Sequence, residues 1–221
     1  MPSLEIASAT IDAFRPDYTP VGVFIGGTSG VGQAMVKRLA QSLKGNIHLI
    51  IVGRNKAAAQ STLDFLPNNS NRSMLREFVY CEASLMENME SASDDIQELL
   101  TSVGGRINFL VHSAGYAAFL PVETTKDGLD HQLVMRYYSR WKFFDELLPL
   151  VQNAKASGEV ASVMSVMAGG HISSGNIDPE HLDLDNVWSF ARPLRIVFLS
   201  AGYNDLMVEV SQSAPFPLHT D

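Results

Sequence analysis

Between Val21 and Ile25 the chain reads VGVFI, an apolar run without polar interruption, short enough for a strand and suited to burial on both faces of a parallel sheet. The period then changes. From Gly32 the segment GQAMVKRLAQSL sets Ala34, Met35, Leu39 and Leu43 on one side of a helix, and Lys44 with Gly45 supplies its stop. The alternation returns along the chain. NIHLIIVG (46–53) predicts a second strand, RNKAAAQSTLDFL (54–66) a helix, and PNNSNRS a polar turn. MLREFVYCEAS (74–84) predicts a third strand, SLMENMESASDDIQELLTSV (84–103) a helix, and INFLVHSAG (107–115) a fourth strand. After a loop around AAFLPVETTKDG, the stretch from Leu129 to Leu150 reads as a long helix and GEVASVMSV (158–166) as a fifth strand.

Strands that recur between helical stretches imply right-handed crossovers covering both faces of a parallel sheet, an α/β domain rather than a helical bundle. Its expected span is 20–210, with an N-terminal extension at 1–19 and an irregular tail at 211–221, where Pro215 and Pro217 oppose a central strand. A sheet lacking a late strand would expose an edge, which makes homo-oligomerisation one way to cover it.

Composition narrows the chemistry. With 46% hydrophobic and 18% charged residues among 221, the chain can bury a sizeable core and is not a disordered sequence. Sixteen basic against 24 acidic residues give a net charge of −8, which opposes broad adsorption to nucleic acid or anionic membranes. One cysteine, Cys81, excludes an intrachain disulfide, and its FVYC setting suits a buried strand thiol. No secretory signal and no transmembrane run is visible, so a cytoplasmic location is the expectation.

The strongest chemical signal is IGGTSGVG at 25–32. Placed between a strand and a helix, Gly26, Gly30 and Gly32 let backbone approach a phosphate that the helix amides face, and Thr28, Ser29 and Val31 complete the cradle. The second strand ends in Gly53-Arg54, where an NAD-selective site commonly has a carboxylate; an arginine there can pair with a ribose phosphate, which favours NADP(H) over NAD(H). An ordinary exposed arginine is the alternative.

With these residues in view, the chain resembles the short-chain dehydrogenase/reductase family. The family's Thr-Gly-x-x-x-Gly-x-Gly pattern is matched by 25–32, with Ile25 in place of the threonine, and its Asn-Asn-Ala-Gly signature is similar to His112-Ser113-Ala114-Gly115. The resemblance implies a Rossmann-like, doubly wound parallel sheet with a divergent, apparently shortened C-terminal region, and it brings Ser113, Ala114 and Gly115 to the cofactor. It also places Ser165 where the family's serine orients the reacting oxygen, and Arg136 where the family has an asparagine.

The family's Tyr-x-x-x-Lys is absent. Tyr203, the remaining candidate for proton handling, is followed four residues on by Met207 rather than lysine, and Arg192 and Arg195 are poor proton donors. The segments RYYSRWKFFDELLPL, NIDPEHLDLDNV and YNDLMVEV are similar to divergent fungal members associated with secondary metabolism, which implies a small-molecule metabolite as substrate.

Two functions therefore stand. One is an NADP(H)-dependent oxidoreductase that reduces a carbonyl or oxidises an alcohol, with Ser165 and Tyr203 at the centre. The other is a cofactor-binding scaffold or non-redox metabolite protein without the usual proton-transfer pair. His171 and His181, spaced among acidic residues, lack the compact spacing of a metal motif, so no metal is expected. His112, beside the predicted crevice, reads as a strand-end histidine.

Overall fold

The computed structural model describes residues 3–67, 73–115, 123–167 and 192–213. Five parallel strands form one sheet: β1 (Val21–Ile25), β2 (His48–Gly53), β3 (Arg76–Tyr80), β4 (Phe109–His112) and β5 (Ser162–Ser165), in the order β3-β2-β1-β4-β5. This is the doubly wound arrangement that the alternating periods predict.

The strand sequences alternate their side chains between two cores, as a pleat requires. Val21, Val23 and Ile25 of β1 face one layer with Ile50, Val52 and Val79, packed against α4 (Met86–Thr101) and α6 (Ser139–Ala156) through Met89, Ile96, Leu100, Phe143 and Leu147. Phe24, Leu49 and Ile51 face the other, against Val36 and Ala40 of α2 (Gly30–Ser42) and Ala59 and Leu63 of α3 (Lys56–Phe65). All five residues of β1 are buried. Burying each such aliphatic or aromatic side chain contributes about 1.5–3 kcal/mol, so the central strands fix the sheet.

Asn108, fully buried at the entrance to β4, aligns three strands. Its Oδ1 accepts from Val21 N at 2.8 Å, and its Nδ2 donates to Val160 O and Glu159 Oε2, both at 2.9 Å. In β5 the exposed Val163 and Met164 show that this strand is less covered than β1.

Two segments differ from the sequence expectation. The N-terminal extension holds a helix, α1 (Leu4–Ala13), capped by Ser3 and tied to α2 by the Arg38–Asp12 ion pair at 2.9 Å. The expected helix from Leu129 to Leu150 is instead a short α5 (His131–Leu133), a π turn (Val134–Tyr138) and then α6, which continues to Ala156. The last helix, α7 (Arg192–Ser213), packs Ile196, Leu199 and Tyr203 against Leu133. Residues 211–213 of the irregular tail expected at 211–221 belong to α7; the rest of that tail, the acidic insertion with His171 and His181, and most of the polar turn PNNSNRS lie outside the described residues.

Candidate functional site

The strand registers set Ile25, Val52, His112 and Ser165 in adjacent rows, so the loops after β1, β2, β4 and β5 open at one edge of the sheet. The order reverses beside β1, and crevices in such sheets form at that switch point. A cavity of about 310 Å³ lies there.

All ten positions expected to hold a cofactor line it: Gly26, Thr28, Ser29, Gly30, Val31, Gly32, Arg54, Ser113, Ala114 and Gly115. The glycine turn is shaped by its neighbours. Gly26 has φ +89 and donates its N–H to Val52 O at 2.9 Å; Ser113 and Ala114 donate theirs to Ile25 O at 2.8 and 3.1 Å. A Cβ on Gly32 would stand 2.2 Å from Ser113 Oγ, whereas one on Gly30 would meet no protein atom within 4 Å. The turn is therefore closed toward β4 and open toward the cavity. Ser29, the residue before α2, makes no side-chain cap, which leaves the helix's first amides available to an anion. A cradle of this shape fits a dinucleotide's phosphates.

Sequence reasoning did not single out Glu82, which lines the same cavity beyond β3. Its carboxylate pairs with the exposed Arg54 at 3.4 Å and accepts from Ser84 Oγ at 3.1 Å. The signal was topological: the end of β3 must reach the same edge as the end of β2. Cys81, also in the lining, has its thiol pushed up to about 12 by burial and then by Glu82, so it stays protonated at neutral pH.

Ser165 lies at the end of β5, next to Val166 of the cavity wall. Its hydroxyl accepts from Arg140 Nε at 3.0 Å and donates to Asn204 Oδ1 at 3.1 Å. The amide of Asn204 is oriented by its other end, since Nδ2 donates to Ser200 O at 2.7 Å and Arg136 O at 3.0 Å. Arg140 is buried and binds Met135 O, Ala114 O and Val166 O as well, at 2.7, 2.9 and 3.1 Å. The π turn makes this possible: in the widened turn, side chains take up the carbonyls of Met135 and Arg136.

Tyr203, expected at this centre, adjoins it in sequence through Asn204. Its ring packs on Tyr137 at 5.3 Å between centroids, within the Leu133, Ile196 and Leu199 cluster, and Asn204 takes the position beside Ser165. Adjacent helical residues point about 100° apart, so facing Asn204 toward the sheet turns Tyr203 to the aromatic cluster. Neither Arg140 nor Asn204 was singled out from sequence.

His112 is fully buried against Phe143 and Phe144, at 5.9 and 6.2 Å between ring centroids, and among the described residues neither ring nitrogen has a hydrogen-bond partner. Burial, and then the Arg140 charge, hold its pKa well below the ordinary 6.5. The folded protein keeps it neutral while the unfolded chain takes up a proton near pH 6.5. Its contribution is therefore complete above that pH and is lost as pH falls. Below it, the penalty grows by about 1.4 kcal/mol per pH unit. Urea unfolding at pH 7 and pH 5 should show a shallower loss in His112→Leu than in the parent; equal losses would contradict this reading.

The described residues contain no cluster of three metal-ligating side chains and no helix long and apolar enough to cross a membrane.

Sheet order, crossover pattern and a glycine turn at the switch point define a Rossmann-like α/β domain. The chain belongs to the short chain dehydrogenase family, whose model matches residues 21–176. Oxidoreductase andH of Emericella variicolor is 35% identical over 182 residues, 80% of this chain and 51% of that protein. Short-chain dehydrogenase/reductase SAT2 of Stachybotrys chartarum is 31% identical over 178 residues, 77% and 49% of the two chains. The chain thus spans about half the length of the curated relatives it matches.

Among solved structures, a metagenomic short-chain oxidoreductase in complex with NADP superposes with a TM-score of 0.60 at 15% identity, covering 89% of this chain and 76% of that one. NADPH-bound carbonyl reductase from chicken fatty liver gives 0.60 at 17%, covering 89% and 71%. At these identities the likeness is one of fold.

Proposed function

We propose that the cavity binds NADP(H) and that the protein transfers hydride between it and a carbonyl or alcohol of a small metabolite. The observation that carries this reading is that one cavity gathers the glycine turn, Arg54 and the Ser113–Gly115 loop, with the wall residue Val166 adjoining Ser165. The NADP and NADPH complexes of the fold neighbours and the oxidoreductase names of the fungal relatives support it. A secondary-metabolism substrate follows from the resemblance to divergent fungal reductases.

The dinucleotide supplies the hydride. The chain's part is to hold phosphate on the amides of 29–32, to offer Arg54 to a ribose phosphate, and to orient the reacting oxygen at Ser165. Arg140 polarises the Ser165 hydroxyl from behind, which makes its proton a better donor to an oxygen gaining negative charge. For that donation the hydroxyl must turn from Asn204. Exchange of a proton at the same oxygen requires a donor whose acidity a neighbouring cation raises.

That last requirement favours a second reading, binding without turnover. The sequence of α7 contains no lysine to assist a tyrosine, and the Tyr203 ring packs in the Leu133, Ile196 and Leu199 cluster. Two measurements separate the readings. Calorimetric titration should show NADPH binding more tightly than NADH, with Arg54→Ala erasing the difference by about tenfold or more. NADPH oxidation in the presence of fungal metabolite extracts, followed by mass spectrometry, should fall in Ser165→Ala while NADPH affinity holds. Binding without any consumption would support the scaffold; equal affinity for NADPH and NADH would remove the NADP(H) assignment.

A further inference from the structure

We infer that Arg136 anchors a carboxylate of the substrate, at a subsite beside Ser165 and outside the cofactor cavity. The inference rests on the reading of that cavity as the dinucleotide site.

Arg136 and Arg140 stand four residues apart across the π turn, two guanidinium groups drawn into the protein. Among the described residues neither forms an ion pair, in a chain with 24 acidic residues. Burial lowers the pKa of both, and the Arg136 charge lowers that of Arg140 further, to about 10; no carboxylate acts against either shift. Two like charges brought together without a counterion are costly, and an anion in the working complex would offset that cost.

The two arginines are not equivalent. Arg140 is committed to four acceptors. Arg136 uses only Nε, which donates to Ser200 Oγ at 2.9 Å. Among the described residues its two terminal amino groups have no partner, and they are not among the sealed, unpaired atoms of the interior. That pair of N–H edges is the fork that a carboxylate meets with both oxygens.

Position then ties the fork to the reaction centre. Ser200, which holds Arg136, precedes by one helical turn Asn204, which holds Ser165, and Asn204 Nδ2 also binds the Arg136 carbonyl. The neighbouring Met135 lines the cofactor cavity and Arg136 does not. A substrate whose reacting oxygen sits at Ser165 would therefore present its acid group toward Ser200, one turn of α7 before the residue that holds Ser165.

The test uses the full chain and calorimetric titration with three probes: benzoate, its uncharged analogue benzamide, and inorganic phosphate. Benzoate should bind at least about tenfold more tightly than benzamide. Arg136→Met should bring benzoate to the benzamide level, and Arg136→Gln, which retains a donor for Ser200, serves as a second neutral variant should the first not fold. Equal binding of benzoate and benzamide by the parent, failure of both to bind, a benzoate preference that survives loss of the charge, or tighter binding of phosphate than benzoate would each overturn the inference. NADPH is titrated in parallel. A benzoate preference without NADPH binding defeats the cofactor reading alone, and NADPH binding without a benzoate preference defeats this inference alone.

Discussion

Gly26→Ala should cost the fold about 3 kcal/mol or more and abolish dinucleotide binding, because two penalties meet at one position. With φ at +89 an L side chain is strained, and the added Cβ would lie 2.4 Å from Ala114 N, 2.8 Å from Ala114 Cα and 2.9 Å from Ser113 C. These are backbone atoms of the loop after β4, held by their own bonds to Ile25 O, so nothing flexible can yield. Gly30→Ala is the contrast. It too has positive φ, at +56, but its Cβ would meet no protein atom within 4 Å. That variant should lose about 1–2 kcal/mol of stability, the left-handed backbone cost, while losing NADPH affinity because the methyl group projects into the open side of the cradle. Urea unfolding and NADPH titration of both variants check this; equal destabilisation would show that the turn is not closed against β4.

The second large effect belongs to Arg140→Met. The side chain is buried, and its guanidinium satisfies the carbonyls of Met135, Ala114 and Val166 as well as the Ser165 hydroxyl. Methionine fills much of the volume and satisfies none of them. Leaving several buried acceptors unpaired should cost about 3–5 kcal/mol, and the Ala114 and Val166 segments of the cavity wall should loosen with it. Arg140→Lys, which keeps the charge and some of the donors, should fall between. A loss below about 1 kcal/mol in the methionine variant, within the range of ordinary surface changes, would mean that the guanidinium does not tie β4 to β5.

The sheet was legible because its signal is local. VGVFI, LIIVG and FLV are each apolar in unbroken runs, and the glycine turn sits directly between the first strand and the helix that follows it. The polar centre was not legible, for a physical reason. Arg140 meets Ser165 across 25 residues and Asn204 meets it across 39, so neither contact leaves a spacing in the sequence. The π turn shifts the helical register by one residue at 134–138, and a hydrophobic period of 3.6 carries no mark of that insertion. Tyr203 drew notice as the residue type the chemistry wants. Its apolar ring instead found Tyr137, and the smaller amide beside it took the polar position. Arg54 could be read as a phosphate ligand from the strand end, but its pairing with Glu82 required knowing that β3 stands beside β2.

The assignment of the glycine-lined cavity as an NADP(H) site serving Ser165 is decided by a crystal structure of the full chain soaked with NADPH. Pyrophosphate is expected on the amides of 29–32, the ribose phosphate against Arg54 and the nicotinamide end toward Ser165. A dinucleotide bound at any other surface, or bound here with its two ends exchanged, would contradict it.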